Sequence, residues 1–260
     1  MLGQLVDISR KAGLAILDWY DGDMGITHKA DDSPLTKADL ASHKLIVTEL
    51  TQGWPDIPIL SEESATIAWE TRKAWQQYWL VDPLDGTKEF INRNGEFTVN
   101  IALIRDHRPV MGVVHVPVTD ISYLGAINAG AWRQQGGDTK TGIATRQPAA
   151  SPAIVVGSRS HANPELAEQL EKLGPHELTS MGSSLKFCRV AEGLADFYPR
   201  LGPTCEWDTA AAQAVVEAAG GRVVKLDGSA LDYNCKEAYL NPHFFVLGDP
   251  ARDWLRPFRG

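Results

Sequence analysis

Residues 97–104 read Phe-Thr-Val-Asn-Ile-Ala-Leu-Ile, a run too apolar on both faces for a half-exposed strand. Side chains alternate across an extended chain, so such a segment must be covered on both sides, in the middle of a sheet. Further strand-like runs stand at 57–60, 78–81, 110–116 and 121–126. The three consecutive runs from 97 to 126 are joined by short connections, which predicts antiparallel neighbours.

Before the sheet, residues 4–20 place Leu5, Ile8, Ala12, Ala15, Ile16 and Trp19 at helical spacing, with Asp7, Lys11 and Asp18 between them. This is an amphipathic helix packing on another layer. Its polar face lacks the Lys/Arg richness of a membrane-surface helix. A second helix is predicted to begin near Thr36, because Thr36-Lys37-Ala38-Asp39 is a capping-box variant. A polar, Gly-rich stretch at 134–142 and the segment 146–152 mark the expected boundary. Beyond it come a strand at 153–157 and a helix at 164–173, with Asn163 as cap and Pro164 first. A helix after Gly182, a strand at 195–198 and a helix from about Asp208 to Ala219 follow. Two halves packing as one unit are expected: 1–145 with an antiparallel sheet, and 146–260 of α/β character.

The formal charge of −8 argues against a nucleic-acid polymer as partner, since such binders carry a basic face. It leaves phosphorylated small molecules open, because metal ions and a few lysines reverse the field inside a cleft. Cys188, Cys205 and Cys235 make no CxxC and suggest reduced thiols. No basic segment followed by an apolar run opens the chain, and no stretch approaches the ~20 apolar residues that span a bilayer. A cytoplasmic protein is expected.

The segment Trp79-Leu80-Val81-Asp82-Pro83-Leu84-Asp85-Gly86-Thr87 sends an apolar strand directly into two acids. A strand end is a rigid mount, and Pro83 fixes its own φ, so Asp82 and Asp85 can converge. The kink also presents the Leu84 carbonyl. Hard oxygen ligands of this kind suit Mg²⁺. Taken alone, Asp-Pro-x-Asp-Gly is equally a turn. Ile59-Leu60-Ser61-Glu62-Glu63 repeats the pattern, and Cys205-Glu206-Trp207-Asp208 sets acids before an apolar helix, where Asp208 could simply cap. Acids in three separate segments suggest a metal site. Metals held by shared carboxylates can bridge a phosphate and activate water.

These motifs, Glu62-Glu63, Asp82-Pro83-Leu84-Asp85-Gly86-Thr87 and Trp207-Asp208, resemble the lithium-sensitive inositol monophosphatase superfamily over nearly the whole chain. Within it, Thr87-Lys88-Glu89-Phe90, Ser33-Pro34-Leu35-Thr36, Ser158-Arg159-Ser160-His161, Gly182-Ser183-Ser184-Leu185-Lys186-Phe187 and Tyr198-Pro199-Arg200 are similar to 3′(2′),5′-bisphosphate nucleotidases of the CysQ type. The resemblance implies a layered αβαβα sandwich of α+β and α/β halves. It implies Mg²⁺, two or three ions per site: one on Glu62, Asp82 and the Leu84 carbonyl, a second on Asp82, Asp85 and Asp208. Glu62 and Thr87 would orient the attacking water, with Asp39 as a further carboxylate beside it. For Asp39, helix capping competes.

The implied substrate is adenosine 3′,5′-bisphosphate, losing its 3′-phosphate, with the sulfated analogue as a second candidate; sulfur metabolism follows from the family. Leu84, Asp85, Gly86, Thr87 and Asp208 would meet the reacting end. Gly182–Lys186 opens a helix whose free amides favour an anion, and Lys186 would add a charge for the 5′-phosphate. Ser158 and His161 would contact the nucleoside, and Arg200 a phosphate. An inositol or sugar monophosphatase with the same metal chemistry is the alternative. Some bacterial relatives sit peripherally on the inner membrane, which this sequence neither supports nor needs. Oligomeric state is left open.

Overall fold

The computed structural model describes residues 1–22, 24–28, 34–159 and 164–259. It opens with helix α1 (Leu2–Leu17). Two short paired strands, β1 (Thr27–His28) and β2 (Pro34–Leu35), lead to helix α2 (Lys37–Gly53). Thr36 caps α2 through the anticipated box. The Asp39 N–H donates to Thr36 Oγ1 (3.4 Å), and the Thr36 N–H donates to Asp39 Oδ2 (2.7 Å).

A seven-stranded sheet follows, in spatial order β3 (Ile59–Ser61), β4 (Gln77–Asp85), β5 (Thr98–Arg105), β6 (Arg108–Val116), β7 (Ile121–Ala126), β8 (Gly130–Gln135) and β9 (Thr141–Ile143). The short helices α3 (Trp69–Arg72) and α4 (Thr87–Ile91) interrupt the early strands. β3 and β4 are parallel; every later pair is antiparallel, as the short connections predict. The segment 146–152 falls between β9 and the next strand, but the stretch 134–142 lies within the first sheet. The latter holds the tip and flanking ends of the β8–β9 hairpin at the sheet edge. An exposed edge tip needs no apolar pattern, so it imitates a linker.

The second sheet is mixed, in order β11 (His176–Met181), β10 (Ala153–Ser158), β12 (Phe197–Arg200), β14 (Phe244–Leu247) and β13 (Arg222–Lys225). Helices α5 (Pro164–Glu171), α6 (Leu185–Ala191) and α7 (Ala210–Ala218) connect its strands. Asn163, the expected α5 cap, lies outside the described residues. α7 starts later than expected, because Glu206–Asp208 form a separate 3₁₀ turn. Sequence pattern missed β11, whose middle is exposed, and β13 and β14, whose four residues each are too few to show a period.

Alternation along the central strands explains the layering. Trp79, Val81, Val99, Ile101 and Leu103 face α1 and α2. Leu80, Ala102, Ile104 and Val114 face the other way, into a core shared with α6, α7 and Val156, Tyr198 and Val246 of the second sheet. Leu170 of α5 packs with Phe197, Phe245 and Trp254 on the far face. The result is the αβαβα sandwich. Among the described residues no helix is long and apolar enough to cross a membrane.

One core residue gives the fold a pH dependence. His115 on β6 is 2% exposed, with Nδ1 3.0 Å from Ser122 Oγ. Burial lowers its pKa to about 4, with Arg10 lowering and Asp120 opposing. The unfolded chain protonates this group below about pH 6.5 and the folded chain does not, so stability is lost as pH falls from 6.5 towards 4. Between pH 7.5 and 5 the loss should be about 2 kcal/mol. Urea unfolding of wild type and His115→Gln at both pH values checks this. The difference between the two proteins should shift by that amount; a difference independent of pH would refute it.

Candidate active site

Because β3 and β4 run parallel, both deliver their carboxyl ends to one edge of the sheet. Glu62 follows β3 at once and opens a 3₁₀ turn, Glu62–Ser64. Asp82 and Asp85 end β4, where the register with β5 slips between them. Pro83, which lacks a ladder donor, sits in that bulge. Ser42 Oγ of α2 donates to the Pro83 carbonyl (2.7 Å), and the Leu84 N–H donates to Asp82 Oδ1 (3.0 Å). Both bonds hold the kink. Gly86 then turns into α4 with φ of 91°, a left-handed value that suits glycine.

Asp208 arrives from the other half, at the end of the Glu206–Asp208 turn, with Oδ2 accepting from the Cys205 N–H (2.9 Å). Glu206 of that turn faces elsewhere. It accepts from the Asn234 N–H (2.8 Å) and lies 3.4 Å from Lys236 Nζ.

Burial raises the Asp82 pKa well above the usual carboxylate range, and the charges of Glu62, Asp85 and Asp208, with a hydrogen bond to Glu62, raise it further. Asp208 is raised well above that range by burial, then by Asp85 and Glu62. Four acids from three segments therefore feel one another strongly, an arrangement that favours an added cation. Among the described residues no group of three or more His, Cys, Asp and Glu side chains stands close enough together to hold a metal ion by itself. The donors are hard oxygens at an open cleft, which fits Mg²⁺, an ion that commonly keeps waters and substrate oxygens in its shell.

Asp85 is held more firmly than its motif suggests. Its Oδ2 accepts from Ser183 Oγ (2.8 Å) and the Ser184 N–H (2.7 Å), and lies 2.7 Å from Ser184 Oγ and 3.3 Å from Asn100 Nδ2. Thr98 Oγ1 adds a contact to Ser183 Oγ at 2.6 Å. The sequence assigns no role to Thr98, Asn100 or the Ser184 side chain. The signal was present for two of them: Thr98 and Asn100 are polar residues two apart on one face of an otherwise apolar strand. Ser183 adopts φ of 51°, uncommon for a serine, and its bonds to Asp85 and Thr98 hold it there.

Thr87 Oγ1 donates to Asp39 Oδ1 (3.3 Å) and lies 3.5 Å from the Leu84 carbonyl. Asp39 thus caps α2 with one oxygen and meets Thr87 with the other; the two readings of this residue are compatible. Glu62, Asp85, Gly86, Thr87, Ser158, Ser183, Lys186, Arg200 and Asp208 all line one cleft of about 270 Å³. Asp39, Asp82 and Leu84 are buried behind it. His161 lies outside the described residues.

Lys186, 6% exposed, reaches this cleft with Nζ donating to the Ser183 carbonyl and lying 3.5 Å from that of Met181. Burial lowers its pKa to about 8, opposed by Asp85. Nearby, Arg200 Nη2 donates to the Pro203 carbonyl (2.8 Å), while its buried Nε has no partner among the described residues.

The sequence profile of the inositol monophosphatase family matches residues 1–246. The chain is 54% identical over 248 residues to the 3′(2′),5′-bisphosphate nucleotidase CysQ of Salmonella typhimurium, covering 95% of this chain and 99% of that protein. A protein of the same description from Haemophilus influenzae is 35% identical over 260 residues, 100% of this chain and 97% of that one. The crystal structure of CysQ from Bacteroides thetaiotaomicron superposes with a TM-score of 0.82 at 42% identity, over 96% of this chain and 98% of that one. The chain belongs to the inositol monophosphatase family. Within that family it is similar to the CysQ nucleotidases over almost its full length.

Proposed function

We propose that the chain is a Mg²⁺-dependent 3′(2′),5′-bisphosphate nucleotidase that converts adenosine 3′,5′-bisphosphate to AMP and phosphate, with the sulfated analogue as a second substrate. One observation carries the choice of a bisphosphate. The cleft sets the Glu62, Asp85 and Asp208 acids, with Asp82 buried behind them, against two largely buried basic groups, Lys186 and Arg200. A cation site for the reacting phosphate and a separate basic pair suit a ligand with two phosphates.

In this reading Glu62, Asp82, the Leu84 carbonyl, Asp85 and Asp208 hold Mg²⁺, which supplies charge neutralisation and an acidified water. The half spanning 1–145 provides Glu62, Thr87 and Asp39. Thr87 donates its hydroxyl hydrogen bond to Asp39, so its oxygen lone pairs are free to accept from the attacking water. Glu62 aligns that water from the other side. The half spanning 146–260 provides Asp208, Lys186 and Arg200 for the second phosphate, and Ser158, Ser183 and His161 towards the nucleoside. The three cysteines are free, and a cytoplasmic location is part of the same proposal.

Phosphate release across a substrate panel tests it, with adenosine 3′,5′-bisphosphate, its sulfated analogue, adenosine 3′-monophosphate and inositol monophosphate. The bisphosphate should exceed inositol monophosphate in kcat/KM by at least the roughly tenfold that one charge-assisted contact supplies. Turnover should vanish with a chelator, and Li⁺ should inhibit more strongly than K⁺ at equal ionic strength. Equal turnover of the bisphosphate and inositol monophosphate would instead favour a sugar monophosphatase.

A further inference from the structure

Glu62 and Asp208 sit on separate 3₁₀ turns from different halves of the chain, and a single segment, 233–241, touches both turns. On one side, the Tyr239 hydroxyl donates to the carbonyl of Ala65 (2.9 Å), the residue that ends the Glu62 turn. On the other, the Glu206 N–H donates to the Tyr239 carbonyl (2.9 Å), and the Tyr239 ring lies 5.0 Å from that of Trp207. The Asn234 N–H donates to Glu206 Oε2 (2.8 Å). This strap belongs to no helix or longer strand; a lone β-bridge, Leu240 with Cys205, ties its far end to the Asp208 side.

Arg72 fixes it from outside. The residue ends α3 and is 1% exposed. Its guanidinium lies over the rings of both Trp69 (4.7 Å to the centroid) and Tyr239 (4.4 Å). The fork donates to Asn234 Oδ1 (2.5 Å), to the Lys236 carbonyl (3.2 Å) and to the Glu237 carbonyl. Asn234 Nδ2 returns a bond to the Arg72 carbonyl (2.6 Å). A planar guanidinium can serve several acceptors and an aromatic face together; a lysine ammonium cannot reproduce that geometry.

We infer that Arg72 is a positioning residue: by clamping the 233–241 strap it sets, through Tyr239, the separation of Glu62 and Asp208, and so the affinity of the site for a divalent cation. The inference rests on the metal roles proposed above for those two acids. It predicts an effect on cation binding distinct from nucleotide binding, since the strap residues themselves do not line the cleft.

The test uses the full chain with Arg72→Lys and Tyr239→Phe. Mg²⁺ binding is followed by calorimetry and by Mg²⁺-induced thermal stabilisation without substrate, beside KM for the bisphosphate at saturating Mg²⁺. Tyr239→Phe keeps the ring and removes only the hydroxyl on Ala65, so it should weaken Mg²⁺ by about three- to tenfold. Arg72→Lys should weaken it further, with KM at saturating Mg²⁺ unchanged. Raised Mg²⁺ should restore turnover in both. If Arg72→Lys does not fold, Tyr239→Phe decides alone. Wild-type Mg²⁺ affinity in the folded variants, or a rise in KM matching the loss of Mg²⁺ affinity, would overturn the strap. Failure of the wild type itself to bind Mg²⁺ would instead overturn the functional proposal and the strap with it.

Discussion

Asp85→Asn should fold like the wild type and release phosphate roughly 10³-fold more slowly at ordinary Mg²⁺ concentrations. Local geometry says why folding survives. The partners of Oδ2 can all donate: Ser183 Oγ, the Ser184 N–H, Ser184 Oγ, Asn100 Nδ2 and Thr98 Oγ1. An asparagine would place its carbonyl oxygen there and keep those bonds. Its NH₂ group would then stand where Oδ1 would meet the proposed cation, and an amide nitrogen coordinates Mg²⁺ poorly. Losing about 4 kcal/mol of charge stabilisation in the transition state corresponds to the stated factor. Phosphate release over a Mg²⁺ series, with circular dichroism and thermal melting as controls for folding, measures it. Near-normal turnover would remove Asp85 from the metal site.

The contacts that hold Asp85 are not encoded locally in the sequence. Asp82 and Asp85 were legible because an apolar strand running into acids is a local pattern, and Asp208 because an acid precedes an apolar helix. The shell around Asp85 was not. Ser183 and Ser184 lie about a hundred residues further along, and only the packing of the second sheet over the first brings them together. From sequence, Gly182–Lys186 is a helix start with amides free for an anion. In the structure the Ser184 amide serves the anion of Asp85, and the Gly182 N–H donates to Glu96 Oε2 (2.7 Å). Gly182 also shows why the turn needs glycine. A Cβ there would stand 2.7 Å from Glu89 Cγ and 3.0 Å from the Glu96 carbonyl. The fold was legible where period and length cooperate, as in β5 and α1, and illegible where strands are short, as in β13 and β14.

What the helix start keeps for the proposed second phosphate is Lys186, and its removal tests recognition apart from chemistry. Lys186→Ala should lower kcat/KM for adenosine 3′,5′-bisphosphate by roughly ten- to hundredfold, the value of a charge-assisted contact of about 1.5–3 kcal/mol. Adenosine 3′-monophosphate has no 5′-phosphate, so its slower hydrolysis should barely change. The contrast matters because Nζ also touches the Ser183 and Met181 carbonyls, and collapse of that turn would disturb Asp85 and depress both substrates together. An ammonium has three donors, so two backbone contacts leave one for a phosphate oxygen. The same residue predicts a pH signature. With its pKa lowered to about 8, the lysine is charged below that value and loses its charge above it. Selectivity for the bisphosphate over the monophosphate should therefore decline as pH rises through 8, and Lys186→Arg should hold it constant over that range. Equal losses on both substrates in Lys186→Ala, or no loss on either, would return Lys186 to a purely structural part in the turn and leave Arg200 as the remaining basic group for a second phosphate.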